Sequence, residues 1–305
     1  MMKLRRFGLV PSSWLEWARY DTWNVGIATL DRPLRSVDDL HALGDIRWLP
    51  PRKPLYYVAD PFPYRDNGRD YLLVEDYGHP KGVRGRISRV EVHDGRVTIE
   101  PAIVRNSHVS YPYTFEEAGH VYCAPEMGAE DGCIIYQLGA NAAWTPRHHI
   151  LRGRKVVDPT FIRIENRWWL FCTDAQGAGS LVLHAFYADD LAGAWTAHAM
   201  NPLKADRSSA RPAGRPFMLD GRMFRPAQDC SETYGGAVNV MEIVALSPTA
   251  FREVHAMRLE PDPGWPYPHG LHHLVVDGNR IYIDAKRTRY DLLRWLKVWL
   301  HRVTA

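Results

Sequence analysis

The chain has 305 residues, and 38 Lys and Arg against 35 Asp and Glu leave a formal net charge of +3. Because this balance comes without a basic tract, it argues against nucleic acid as the main partner. The four cysteines show no Cys-x-x-Cys spacing, which favours reduced thiols. The N-terminal segment has no continuous apolar stretch, so we predict neither a signal peptide nor a membrane span and expect a cytoplasmic protein.

The first part of the chain, residues 1–50, contains two short helical patterns. One covers Ser12–Tyr20, and the other covers Val37–Leu43 with Ser36 as its N-cap. Neither pattern is long enough to build a domain. We therefore expect residues 1–50 to form an extension that packs on the domain that follows.

A unit of about fifty residues recurs five times between residues 51 and 288. Each copy begins with a polar residue, usually before Pro, continues as a short apolar strand and a turn, and ends a second strand on another polar residue. The copies begin at Asp60, Tyr111, Asp158, Arg211 and His269. Turn formers such as Asn67-Gly68 and Asp220-Gly221 separate the two strands. This spacing is typical of propeller blades, so we predict an all-β, five-bladed β-propeller.

The C-terminal segment, residues 289–305, lies outside the repeat. Apolar and basic side chains alternate at helical spacing from Tyr290 to Arg302, which predicts a basic amphipathic helix. Such a helix packs on the side of the propeller or docks on a membrane surface or a partner protein. The sequence leaves this choice and the oligomeric state open.

The repeat also predicts where polar side chains gather. Blades arranged around an axis direct the starts of inner strands and the ends of the next strands to one central opening. One Asp-Pro alone often only begins a strand and bonds a turn, but five copies in register favour the floor of a pocket. From strand starts the pocket would collect Asp60, Tyr111, Asp158, Arg211 and His269 or His272, and from strand ends Glu75, Glu126, Asp174, Asp229 and Asp284.

Several motifs resemble a known family. They are Ala59-Asp60-Pro61-Phe62, Ser110-Tyr111-Pro112, Val157-Asp158-Pro159-Thr160, Ala210-Arg211-Pro212-Ala213-Gly214-Arg215 and Arg225-Pro226-Ala227-Gln228-Asp229. Together they are similar to the N-terminal domain family of glucosamine inositolphosphorylceramide transferase, over roughly residues 23–287. That family resembles the five-bladed propellers of glycoside hydrolase families 43, 32 and 68. The resemblance implies a carbohydrate or activated-sugar substrate.

The hydrolase resemblance also implies three carboxylates. Asp60 matches the base or nucleophile of the first blade, and Asp158 matches the Asp-Pro residue that holds the charge and geometry of the site. Hydrolase relatives take their acid Glu from the fourth blade, which here offers only Arg211, Arg225, Gln228 and Asp229. We predict that Glu126, at the end of the second copy, replaces it. Cleaving a glycosidic bond requires one protonated and one ionised carboxyl group.

The remaining polar residues are predicted to bind substrate. Arg211, Arg215 and Arg225 either neutralise the carboxylates or bind an anionic substrate such as a uronic acid or nucleotide sugar, and the sequence leaves both readings open. The resemblance implies no required cofactor; an axial Ca²⁺ supported by a His remains an alternative. The predicted substrate-binding residues are Glu75, Tyr111, Asp174, Arg211, Arg225, Gln228, Asp229, His269 and His272.

Three functions fit these residues. The first is a hydrolase or transglycosylase that uses Asp60, Asp158 and Glu126. The second is a non-catalytic carbohydrate- or sugar-nucleotide-binding propeller, which the missing fourth-blade Glu supports. The third is an enzyme of different chemistry in the same pocket, because fold resemblance does not determine chemistry.

Overall fold

Strand pairs joined by tight turns account for nearly all of the regular structure in residues 18–79, 83–93, 96–128, 131–174 and 181–291, which the computed structural model describes. The predicted turn formers adopt the left-handed backbone that tight hairpins require, with φ of 49° at Asn67 and 75° at Gly68. The strands associate into five antiparallel sheets. The predicted five-bladed β-propeller is confirmed.

The strands follow one another in chain order. The first are β1 (Arg19–Thr29) and β2 (Ile46–Trp48). Blade 1 contains β3 (Tyr56–Asp66), β4 (Arg69–Gly78), β5 (Arg86–His93) and β6 (Arg96–Ile103). Blade 2 contains β7 (Val109–Glu117), β8 (His120–Met127), β9 (Cys133–Leu138) and β10 (Trp144–Ile150). Blade 3 contains β11 (Val156–Ile164), β12 (Arg167–Asp174), β13 (Val182–Ala188), β14 (Thr196–Ala197) and β15 (Lys204–Ala205). Blade 4 contains β16 (Phe217–Leu219), β17 (Arg222–Asp229), β18 (Ala237–Ser247) and β19 (Ala250–Leu259), and the last strands are β20 (Leu271–Asp277) and β21 (Arg280–Tyr290).

Blade 5 joins the two ends of the chain. Its order is β2-β1-β21-β20, and β1 pairs with β21 along its whole length. The fifth repeat supplies only two strands, so residues from the predicted extension provide the other two and close the ring. Arg19 and Tyr20 are therefore in a strand rather than at the end of a helix, and residues 12–17 of that predicted helix lie outside the described part.

Two other terminal predictions have different outcomes. The helix after Ser36 is present as a 3-10 helix, Val37–His41, with a capping box between Ser36 and Asp39. At the C-terminus, Tyr290 ends β21, and residues 292–305, which carry most of the predicted amphipathic helix, lie outside the described residues. Among the described residues no helix has the length and apolar character needed to cross a bilayer.

The repeated polar-Pro motif forms a strained bulge in the inner strands of blades 1 to 3. Asp60, Tyr111 and Asp158 have φ of 53°, 45° and 51°, and the strand register shifts at each of them. Left-handed backbone is unfavourable for a residue with a side chain, and the following Pro restricts it further. Such conformations persist only where neighbouring groups stabilise them.

The axis is filled by side chains below these bulges. Tyr111 is 1% exposed, and its hydroxyl accepts a hydrogen bond from the Gly214 N–H at 2.8 Å and contacts Thr160 Oγ1 at 2.9 Å. Gly214 has φ of +130°, and a Cβ there would lie 2.0 Å from the carbonyl oxygen of Leu274. Glycine is therefore required where blade 4 meets blade 5.

Alanine at Gly214 should lower the free energy of unfolding by more than about 3 kcal/mol, because the new Cβ overlaps backbone that belongs to another blade. Gly221 is the matched control: its φ is also positive, at +73°, but a Cβ there meets nothing within 4 Å. Gly221→Ala should cost about 1 kcal/mol. Urea unfolding of both variants measures the difference, and equal losses would contradict this packing.

Candidate active site at the axis

The strained bulges and the carboxylates of neighbouring blades stabilise one another. Asp284 Oδ2 accepts a hydrogen bond from the backbone N–H of Asp60 at 2.8 Å, and Asp60 Oδ2 accepts one from the N–H of Tyr111 at 3.2 Å. Glu126 Oε2 accepts one from the N–H of Asp158 at 3.3 Å. Each bond joins one blade to the next, so the carboxylates are drawn to the axis.

The second and third blades bring Glu126 against an ion pair. Arg211 Nε donates to Asp158 Oδ2 at 2.5 Å, and both side chains are mostly buried. Burial and the adjacent Asp158 raise the pKa of Glu126 to about 8, although Arg211 opposes the rise. A pKa of about 8 keeps most of the Glu126 side chains protonated at neutral pH, and the guanidinium of Arg211 pairs with the carboxylate of Asp158.

Asp60 is buried at the axis beside two histidines. Its Oδ1 is 3.6 Å from Nδ1 of His273 and 4.0 Å from Nδ1 of His272. Burial raises the pKa of Asp60, and the positive charge of His272 opposes this rise. Burial lowers the pKa of His273 to about 3, so that ring is neutral. A buried carboxylate of raised pKa is a stronger base once it is ionised.

His272 and Asp284 form the second ion pair at the axis. Nδ1 of His272 lies 2.7 Å from Asp284 Oδ1, and the His272 ring stacks on Trp23 with centroids 3.9 Å apart. Burial lowers the pKa of His272, but Asp284 and Asp60 outweigh it and raise the pKa overall. These pairs and the two acids form what we call the axial cluster: Asp60, Glu126, Asp158, Arg211, His272 and Asp284.

Two further predicted residues lie beside this cluster. Glu75 Oε1 is 3.3 Å from His108 Nε2, and the charge of Glu75 contributes to the raised pKa of Asp60. Tyr111 is on the axis, but its side chain is buried in the core, where its hydroxyl accepts a hydrogen bond from the Gly214 N–H. The prediction that Tyr111 binds substrate through its side chain therefore has no geometric support.

The other predicted residues lie elsewhere. Arg225 is fully buried and pairs with Glu253 at 2.8 Å. Asp229 pairs with Arg258 at the end of β17, and His269 is exposed and accepts a hydrogen bond from the Thr288 N–H. Gln228 is 1% exposed and donates to the carbonyl of Pro212. The side chain of Asp174 lies outside the described part of the structure.

The three arginines considered for anion binding are separated. Arg211 is committed to Asp158 and Arg225 to Glu253. Arg215 donates to Thr114 O at 2.9 Å and lines a cavity of about 320 Å³ at the hairpin end of the axis. The structure therefore gives no cluster of these arginines for an anionic substrate.

The calcium alternative rests on Asp60, His272 and Asp284, whose ligand atoms lie within 4.8 Å of one another. Calcium takes about six to eight oxygen ligands. Here both oxygens of Asp284 and one of Asp60 already accept protein hydrogen bonds, and the third group is a nitrogen donor. An axial Ca²⁺ therefore stays a prediction, and the donor atoms of Asp60, His272 and Asp284 fit that ion poorly.

Sequence reasoning missed two aromatic residues that contact the axial cluster, buried Trp23 and exposed Tyr234. Trp23 comes from β1, which was assigned to the extension, and stacks on His272. Tyr234 comes from the loop between β17 and β18, and the Arg211 guanidinium carbon lies 5.1 Å from its ring centroid. Neither residue belongs to the repeat, so the only sequence signal for aromatic residues at the site was the high aromatic content of the chain.

Comparison with known proteins tests the family resemblance. A model of the N-terminal domain of glucosamine inositolphosphorylceramide transferase 1 matches residues 51–263. The chain belongs to this family. The transferase of that name from Arabidopsis thaliana is 32% identical to this family member over 210 residues, which cover 66% of the chain and 27% of the plant protein. The chain thus corresponds to a minor part of that relative's length.

Solved structures share the fold at low identity. A family 117 glycoside hydrolase from Zobellia galactanivorans has a TM-score of 0.54 and 13% identity, covering 87% of this chain and 90% of the hydrolase. A family 43 β-1,3-galactosidase has a TM-score of 0.53 and 14% identity, covering 68% and 47%. At such identities the likeness shows the propeller fold alone.

The raised pKa of Glu126 should appear in the pH dependence of stability. The folded protein keeps this proton to about pH 8, whereas a free Glu loses it near pH 4.5, so stability falls as pH rises between these values. Glu126→Gln, which stays neutral, should raise the melting temperature relative to wild type at pH 9 but not at pH 4. Exposed Glu116 on β7 supplies the control Glu116→Gln; if both variants behave alike, Glu126 has an ordinary pKa.

Proposed function

We propose that this propeller is a glycoside-bond enzyme, a hydrolase or transglycosylase, that acts at the axial cluster. Glu126 is the acid, Asp60 is the base or nucleophile, and Asp158 with Arg211 positions Glu126. The observation that carries the proposal is the position of Glu126 beside Asp158: burial and the charge of Asp158 raise the pKa of Glu126 to about 8, although Arg211 and the Asp158 N–H oppose the rise.

The proposed reaction uses both carboxyl groups at once. Glu126 donates its proton to the glycosidic oxygen, the bond between that oxygen and the anomeric carbon breaks, and the leaving sugar departs as a neutral alcohol. Asp60 either attacks the anomeric carbon or takes a proton from a water that attacks it. In a transglycosylase a second sugar hydroxyl replaces water. The charges balance because one carboxyl group gives a proton while the other gains a bond or a proton.

The relatives support a sugar as the substrate class. The solved neighbours are glycoside hydrolases by name, and the plant relative is named as a glucosamine inositolphosphorylceramide transferase. Arg211 and Arg225 already pair with carboxylates of the protein, which favours a neutral glycoside over an anionic one as the substrate.

A carbohydrate-binding propeller without catalysis is the second candidate. The observation in its favour is that Asp60, Glu126 and Asp284 each accept a hydrogen bond from a backbone amide of an inner strand. The same contacts would be needed if these carboxylates only stabilised the strained bulges. This candidate predicts ligand binding without turnover.

The test is turnover of 4-nitrophenyl glycosides and oligosaccharides across pH. Because the acid must be protonated, kcat/KM of the wild type on the oligosaccharide should fall above about pH 8. On the oligosaccharide, Asp60→Asn and Glu126→Gln should each lower kcat by about 100-fold or more. Both variants should still bind oligosaccharide by calorimetry.

Substrates with different leaving groups distinguish a catalytic acid at position 126 from a purely structural Glu126. A 4-nitrophenolate needs little protonation, so Glu126→Gln should lose far less activity on the aryl glycoside than on the oligosaccharide with the same sugar. Asp60→Asn is the matched control and should lose activity equally on both. Binding of glycans without turnover by the wild type would overturn the enzyme assignment in favour of the second candidate.

A further inference from the structure

Tyr234 is an exposed aromatic residue at the edge of the axial cluster. The residue is 47% exposed, yet its ring is held from several sides. Arg211 lies over the ring at 5.1 Å, and the rings of His272 and Trp23 contact it edge-on with centroids 5.5 and 6.2 Å away. Two of these neighbours, Arg211 and His272, are members of the axial cluster, so Tyr234 stands directly over the proposed site.

The hydroxyl of Tyr234 makes no hydrogen bond with the described residues. Desolvation and the negative charges of Asp158, Asp60 and Glu75 raise its pKa, while Arg211 opposes the rise. The hydroxyl is therefore within electrostatic reach of the carboxylates of the site. A neutral phenol can both donate and accept a hydrogen bond, as a sugar hydroxyl requires.

The loop that carries Tyr234 is fixed from below. Lys286 is fully buried, and its ammonium donates to the carbonyl of Tyr234 at 2.6 Å and to Thr233 Oγ1 at 3.2 Å. The Leu271 N–H donates to the carbonyl of Gly235 at 2.9 Å. Burying an ammonium group is costly unless it is paired, and Lys286 also lies 3.8 Å from the carboxylate of Asp21. Its two hydrogen bonds to residues 233 and 234 therefore tie this loop to a paired, buried charge.

The glycine next to Tyr234 shows how closely the loop lies on the site. A Cβ at Gly235 would lie 2.7 Å from Trp23 and from His272, and the φ of Gly235 is +58°. The backbone thus passes directly over the stacked pair of rings. This close approach sets the position of the Tyr234 ring before any ligand binds.

We propose that Tyr234 is a substrate-binding residue whose hydroxyl hydrogen-bonds a hydroxyl group of the neutral sugar held at the axial cluster, and that Lys286 is its positioning residue. The inference rests on the proposed function. It adds a residue from outside the five repeats to the site. It also assigns a role to the buried Lys286, which contacts neither Asp60 nor Glu126 in the described structure.

The test uses the 4-nitrophenyl glycoside that the wild type turns over fastest. Tyr234→Phe removes only the hydroxyl, so KM should rise about three- to tenfold with little change in kcat and no shift of the pH profile. Tyr290→Phe, at an exposed tyrosine on β21, is the matched control and should behave as wild type. A Tyr234→Phe variant with wild-type KM would overturn the inference while leaving the proposed function intact.

Lys286→Met tests the positioning role, by hydrogen exchange without ligand and by KM on the same glycoside. Hydrogen exchange of residues 231–236 should become faster, and KM should rise as in Tyr234→Phe, with Lys286→Arg restoring part of the loss. Unchanged exchange in Lys286→Met would overturn the positioning role. If the wild type neither binds nor turns over any glycoside of the panel, the proposed function fails and the inference fails with it.

Discussion

The site depends on one backbone constraint, the left-handed conformation of Asp60, Tyr111 and Asp158 immediately before Pro. Each such residue costs about 1–3 kcal/mol and needs compensation from its surroundings. The compensation is a hydrogen bond from each strained N–H to a carboxylate at the axis. The N–H groups of these three residues donate, in the same order, to the carboxylates of Asp284, Asp60 and Glu126. The hydrogen bond that stabilises each strained strand therefore also fixes the position of a carboxylate. The same carboxylate oxygens join neighbouring blades and form the proposed site.

Crowded carboxyl groups cannot all ionise, and the structure decides which ones do. Arg211 holds Asp158, and His272 holds Asp284, as ion pairs. Glu126 has no cation of its own, so its pKa is raised by burial and by Asp158. Cleavage of a glycosidic bond requires a proton donor and an ionised carboxylate at one site. Burial also raises the pKa of Asp60, the proposed base, and the positive charge of His272 opposes that rise and favours the ionised form.

The sequence predicted what the repeat encodes. A polar residue before Pro marked the inner strand of each of the first three blades, so the positions of Asp60 and Asp158 in their strands could be predicted, because the same bulge recurs at the same strand position. It misplaced Arg225, which lies inside β17 on the face turned to Glu253, because strand register decides which face a residue takes. The position of Tyr234 could not be predicted from the sequence, because its loop is held by Lys286, which is 52 residues away in the chain.

The chemistry proposed for this propeller requires that the axial cluster keep Glu126 protonated at neutral pH. Titration of ¹³C-labelled glutamate side chains by NMR measures this directly, with Glu126→Gln to assign the resonance. We expect one glutamate resonance with a midpoint near pH 8 in the wild type and no such resonance in the variant. A Glu126 midpoint between about 4 and 5, as in exposed glutamates, would contradict it.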